Sequence, residues 1–152
     1  RYLPEFMKIR KKNTDFIKLC LNSDLSKEIT IQPLNRFDLD AAIIFSDILM
    51  IPYGLGQEVK FKKGFGPSLS KLNLENIINA TDKSFINNLK PVYKAIEKVK
   101  KEIKNKSLIG FVGAPWTLLV YMLGLKNKDN KLNYSLLEKK TLILIKLLKT
   151  KN

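Results

Sequence analysis

The chain has 152 residues, 45% of them hydrophobic and 9% aromatic, which is the length of one domain with apolar surface enough for a packed core and excludes a disordered chain. Its 28 Lys+Arg against 14 Asp+Glu give a net charge of +14, and it contains no histidine, so any catalysis must fall to carboxylate, Tyr, Lys or Arg. One cysteine, Cys20, excludes an internal disulfide.

Residues 1–13 read as an irregular polar start. Thr14 is placed to cap a short helix to about Leu21, in which Cys20 reads as a buried structural thiol. Ser23 or Asp24 caps a second helix to about Phe37, with Leu25, Ile29, Leu34 and Phe37 near helical spacing and Pro33 weakening its middle. Ala41–Phe45 is an unbroken apolar run, the pattern of a strand covered on both faces in a parallel sheet. Residues 50–67 carry Pro52, Gly54, Gly56, Gly64, Gly66 and Pro67 around an alternating Glu58–Lys62, which predicts a surface hairpin or excursion. Asp82 or Ser84 opens the longest helix, to about Lys106, with Phe85, Leu89, Val92, Ile96, Val99 and Ile103 on one stripe and a kink point at Pro91. Leu108–Val112 reads as a second buried strand, followed by a loop and a helix starting near Pro115. A polar linker at 126–133 leads to an amphipathic helix over 134–149.

Strands alternating with long helices predict an α/β fold with a parallel sheet. Two strands do not make a stable parallel sheet, so the pattern predicts a piece of a larger fold. The uncharged stretch 107–125 is broken by Gly110, Gly113 and Pro115 and reads as strand, turn and helix, not a membrane span. With no targeting segment visible, a cytoplasmic location is expected. The start at Arg1 is read as a sign of processing or of a truncated reading.

Only Arg1, Arg10 and Arg36 among the basic residues are arginine; the rest are lysine, spread along segments such as 94–106. A polyanionic partner and a lysine-rich solvated face set by coding bias both account for the charge. A nucleic-acid-binding module needs clustered basic residues or an aromatic stacking platform, and neither is visible.

Asp47 follows directly on the first strand, where ligands sit in α/β folds; it is either a ligand carboxylate or a turn cap. Arg1 and Arg10 flank Tyr2-Leu3-Pro4-Glu5-Phe6 and are either carboxylate forks or surface ion pairs, Glu5 being the nearest acid. The turn at 110–117 lacks the glycine spacing of a dinucleotide fingerprint. Tyr121 lies four residues past Thr117 on the same helix face, as a ligand donor or a half-buried core tyrosine.

Three stretches go beyond these generic patterns. Arg1-Tyr2-Leu3-Pro4-Glu5-Phe6 with Arg10, Phe37–Leu49, and Gly110–Leu118 with Tyr121-Met122 resemble signatures of the uroporphyrinogen decarboxylase family, in its order and at about its separations. The glycine-rich connection at 51–67 fits as well, and the similarity runs from residue 1 to about 125, fading in the lysine- and leucine-rich tail. The resemblance implies a (β/α)8 TIM barrel of which residues 1–152 are the N-terminal portion, within a single domain. It implies decarboxylation of the four acetate side chains of uroporphyrinogen III to give coproporphyrinogen III, with no metal or organic cofactor, and a homodimer when intact.

By the same resemblance, Asp47 faces the pyrrole N–H groups, Arg1 clamps a substrate carboxylate, Arg10 and Phe6 line the cleft, and Tyr121 lies near the reacting acetate. The family's first strand with its Arg-Gln-Ala-Gly run, and its later strands, are not in this stretch. The 152-residue chain alone is therefore expected to be inactive and poorly soluble. A cobalamin-linked methyltransferase on the same barrel and a non-functional fragment are the alternatives; the Arg1–Glu5 start favours the decarboxylase.

Overall fold

The computed structural model describes residues 2–62, 66–126 and 131–149. Its first element is a helix, α1 (Pro4–Lys12), where the sequence predicted an irregular start. Pro4 opens it, Glu5 sits in the first turn, and Arg10, Lys11 and Lys12 sit in the last, all favourable to the helix dipole. Leu3, Phe6 and Ile9, spaced by three, form the apolar edge that the surrounding charges conceal in the sequence. Two caps also differ from expectation. Asp15, not Thr14, accepts from Lys18 N–H at 3.1 Å to start α2 (Phe16–Cys20). Asn22 accepts from Asp24 and Leu25 N–H at 3.1 Å to start α3 (Ser23–Arg36).

Strand β1 (Ala41–Ile43) is shorter than its apolar run. Residues 50–67 are only partly a hairpin: α4 (Met50–Gly54) comes first, and then β2 (Val59–Lys62) pairs antiparallel with β3 (Gly66–Leu69). A short α5 (Leu74–Ile78), capped by Asn73, was not foreseen. The predicted long helix is two, α6 (Asp82–Asn88) and α7 (Lys90–Glu102), meeting at Leu89. Pro91 is the reason: within a helix it would lack its N–H bond and clash with the preceding turn, but in a first turn it is accommodated. Strand β4 (Ser107–Ile109), α8 (Pro115–Met122) and α9 (Tyr134–Lys149) complete the order. Gly56 and Gly124, with φ of 87° and 60°, stop α4 and α8 in the left-handed conformation that glycine adopts without strain.

β1 and β4 pair in parallel, Ala41 opposite Ser107 and Ile43 opposite Ile109. Helices α3 and α7 cover one face of the pair, where Ile31, Ala42, Ile44, Ala95, Val99 and Ile103 form a buried cluster. The other face is bare: Ile43 is 62% exposed and Ile109 47%. The expectation of strands covered on both faces is thus corrected. Phe111 and Val112, placed in the second buried strand by the sequence, lie beyond β4 and are exposed. The observed architecture is α/β with a parallel pair of strands. Among the described residues no helix is long and apolar enough to cross a membrane.

Candidate active site

Parallel pairing in register brings the segments leaving β1 and β4 out side by side. Asp47 lies half-buried in the first of them. Its Oδ1 accepts the Leu49 N–H at 2.9 Å and its carbonyl accepts the Met50 N–H at 3.1 Å, a turn that leads into α4. The capping role is therefore real, and it fixes the direction of the carboxylate.

The segment before Asp47 is anchored from within α3. Phe45 N–H donates to Thr30 Oγ1 at 2.9 Å, and the Thr30 hydroxyl donates to the Ser26 carbonyl at 2.7 Å. Ser26 in turn donates to the carbonyls of Leu19 and Cys20 at 3.3 and 3.2 Å. Ser26 and Thr30 are both buried, so this hydroxyl chain runs through a dry interior where each bond is expensive to lose. On the other side stands Gly113. A Cβ there would lie 2.6 Å from Leu118 Cδ2 and 3.1 Å from Ile48 Cβ, so any larger residue would have to push Leu118 aside and shift the β4 exit away from the residue after Asp47.

Phe45 also ties the arginine-bearing helix to this segment. Its ring lies 5.9 Å from Phe6 and 5.8 Å, edge-on, from Phe16. Phe16 continues to Phe61 at 4.8 Å and carries the Arg10 guanidinium 5.6 Å from its centroid. Arg10 also donates through Nη1 to the Asn13 carbonyl. Phe6 is buried in this run and Arg10 half-buried at its side. Arg1 lies outside the described residues. Among the described residues Glu5 pairs with Arg36, whose Nη2 lies 2.6 Å from Glu5 Oε1, rather than with Arg10. That bond holds the Glu5 carboxyl below its ordinary range.

Tyr121, on α8, is half-buried against the cluster that includes Phe16, Leu49 and Met50. The Lys126 ammonium sits 4.8 Å from its ring centroid and 3.4 Å from its hydroxyl oxygen. Thr117, on the same face by spacing, is exposed. Near the β4 exit, Phe111, Val112 and Trp116 are exposed large apolar side chains, the kind of surface that marks a ligand or partner site. Among the described residues no three His, Cys, Asp or Glu side chains gather as metal ligands would.

Sequence reasoning missed Phe45, Thr30 and Ser26. Phe45 was read only as the end of an apolar run. The four-residue spacing of Ser26 and Thr30 on one helix face was the available signal. Gln57 was missed too: its Nε2 donates to the Ser70 and Met122 carbonyls at 2.8 and 3.0 Å, holding the β2–β3 hairpin to the end of α8.

The family model described as uroporphyrinogen decarboxylase matches residues 1–150, which takes in the divergent tail. A uroporphyrinogen decarboxylase of Rickettsia canadensis (strain McKiel) is 46% identical over 131 residues, 86% of this chain and 39% of the relative. That of Chelativorans sp. (strain BNC1) is 44% identical over 124 residues, 81% of this chain and 36% of the relative. That of Brucella ovis (strain ATCC 25840 / 63/290 / NCTC 10512) is 41% identical over 124 residues, again 81% and 36%. The chain thus spans little more than a third of the length of the curated relatives it matches. With a family match over nearly its whole length, and the signature segments meeting at two adjacent strand exits, this chain belongs to the uroporphyrinogen decarboxylase family.

Proposed function

We propose that the intact protein decarboxylates the four acetate side chains of uroporphyrinogen III to give coproporphyrinogen III, and that residues 1–152 are the N-terminal portion of its single (β/α)8 barrel domain. The observation that carries the reading is the half-buried Asp47 carboxylate at the exit of a parallel strand, held in direction by Leu49 N–H, in a chain of this family.

The chemistry needs such a group. Loss of CO2 from an acetate leaves an electron pair that must be received. Protonation of a pyrrole ring carbon creates a cation, and the C–CO2 bonding pair then flows into the ring as CO2 departs. A further proton on the exocyclic carbon, with loss of the ring proton, gives the methyl. The net exchange for each acetate is one proton for one CO2. The substrate supplies its own electron sink, so the reaction as proposed draws on no cofactor. A fixed carboxylate beside the pyrrole N–H groups stabilises the ring cation as it forms.

In this reading Asp47 takes that role. Arg1 and Arg10 meet substrate carboxylates, Tyr121 stands near the reacting acetate, and Phe6 shapes the cleft wall. The exposed Phe111 and Trp116 offer apolar surface suited to the macrocycle's body. The excess of basic residues suits a substrate with eight carboxylates. The whole protein acts in the cytoplasm as a homodimer, with neither nucleic acid nor membrane as a partner.

Asp47→Ala in the intact protein should lower turnover by roughly 10²–10³-fold, the scale for removing one charge-stabilising group from a site. Asp47→Asn should fall in the same range, although it retains a capping oxygen. Turnover of both variants near the wild-type rate would remove Asp47 from the mechanism.

A further inference from the structure

Tyr121 lies one residue from the end of α8, and the turn beyond it is fixed by a chain of hydrogen bonds. Gly124, at φ 60°, donates its N–H to the Tyr121 carbonyl at 3.0 Å, and Leu125 N–H reaches back to the Val120 carbonyl at 3.0 Å. Leu125 is fully buried beside Val120 and Leu123. Its carbonyl accepts the Asn133 N–H at 2.7 Å, and Lys126 then bridges Leu132 in antiparallel pairing. Two side chains reach in from elsewhere: Gln57 donates to the Met122 carbonyl at 3.0 Å, and Lys140 donates to the Leu123 carbonyl. The chain therefore reverses in a held turn, and the reversal lays the Lys126 side chain back over Tyr121. Its ammonium sits 4.8 Å from the ring centroid and 3.4 Å from the hydroxyl oxygen.

Lys126 is exposed, and among the described residues its charge faces a neutral ring and a neutral hydroxyl, with no acidic partner. Cation–π attraction holds the ammonium there before any ligand arrives. An ammonium carries three donors, and a Tyr121 hydroxyl that accepts from one of them still has its own O–H to give. The two groups thus offer donors side by side, one of them charged, which complements the two oxygens of a carboxylate. We propose that Lys126 is a further substrate-binding residue: its ammonium takes one oxygen of a propionate carboxylate of uroporphyrinogen while the Tyr121 hydroxyl donates to the other. The inference rests on the decarboxylase reading above, which puts Tyr121 near the reacting acetate; each pyrrole carries a propionate next to that acetate. The propionate is the carboxylate that suits a cation. A positive charge on the reacting acetate would hold back the electron pair that must flow into the ring, whereas a propionate keeps its charge throughout. Lys126 then stabilises bound substrate and transition state alike, and its contribution falls on KM.

Lys126→Met and Lys126→Arg in the intact protein test this. Two readouts are needed: steady-state turnover of uroporphyrinogen III, and equilibrium binding of coproporphyrin III, the oxidised product, which keeps only the propionates. Lys126→Met should raise KM and weaken coproporphyrin binding, each roughly tenfold, the scale of one charge-assisted hydrogen bond, with a smaller change in kcat. Lys126→Arg keeps the charge and should recover most of both. A purely structural part for Lys126, holding the Tyr121 ring, would lower kcat and leave coproporphyrin binding alone, and that result overturns the proposal. So does a loss of KM without a loss of coproporphyrin affinity, which would move the contact to an acetate, or an Arg variant no better than Met. The binding arm also separates the two readings. A tenfold loss of coproporphyrin affinity in Lys126→Met, with no decarboxylation by the wild type, sinks the decarboxylase assignment and keeps the carboxylate site; wild-type decarboxylation with an unchanged affinity does the reverse.

Discussion

At Asp47 the structure shows one of the two readings posed by the sequence, the turn cap, and the ligand role is the one proposed above. The carboxylate caps its own turn, and capping is what aims it. Thr30 controls where that turn begins, by receiving Phe45 N–H two residues upstream. Thr30→Val keeps the shape but leaves Phe45 N–H without that acceptor in a buried site. It should destabilise the intact protein by about 1–3 kcal/mol, read from denaturant midpoints; a change within error would mean that the hydroxyl chain does not hold the strand exit. Asp47, Arg10 and Tyr121 stand out in the sequence as chemistry-bearing types beside strands and glycines. Thr30 and Ser26 do not. They are polar residues inside an amphipathic helix, and nothing local says that α1, α2 and β1 will close over them.

At the scale of elements, α3, β1, α8 and α9 were legible because apolar periodicity and turn residues agreed over long stretches. The failures share a cause. α1 hid its narrow apolar edge among charges, and the 82–106 stripe runs in phase through Leu89, where only Pro91 marks the division. Apolar runs also do not reveal whether neighbours cover both faces of a strand, as the exposed Ile43 and Ile109 demonstrate. The α1–α3 contact carries a pH signature. Arg36 favours the charged form of Glu5 in the fold, so the Glu5 value is lower there than in the unfolded chain. Its contribution is fully present above the ordinary carboxylate value and is lost as pH falls through the depressed one. Stability measured against pH should decline across that acid window and decline less in Arg36→Met. Superimposable curves would mean the pair contributes nothing, the usual outcome for an exposed bridge.

For the whole molecule, the decisive feature is how little covers one small sheet. The β1–β4 pair has a bare apolar face, and grooves border both strands. Parallel sheets are stable when both faces are covered and several strands pair, so the 152-residue chain alone should be poorly soluble and without turnover. That feature is legible in the order of elements, since two strands among long helices do not make a closed parallel core. The most direct test is CO2 released per macrocycle when the intact protein is given uroporphyrinogen III. The account predicts four CO2 and coproporphyrinogen III as the product. No CO2 release by the folded, intact protein would contradict it.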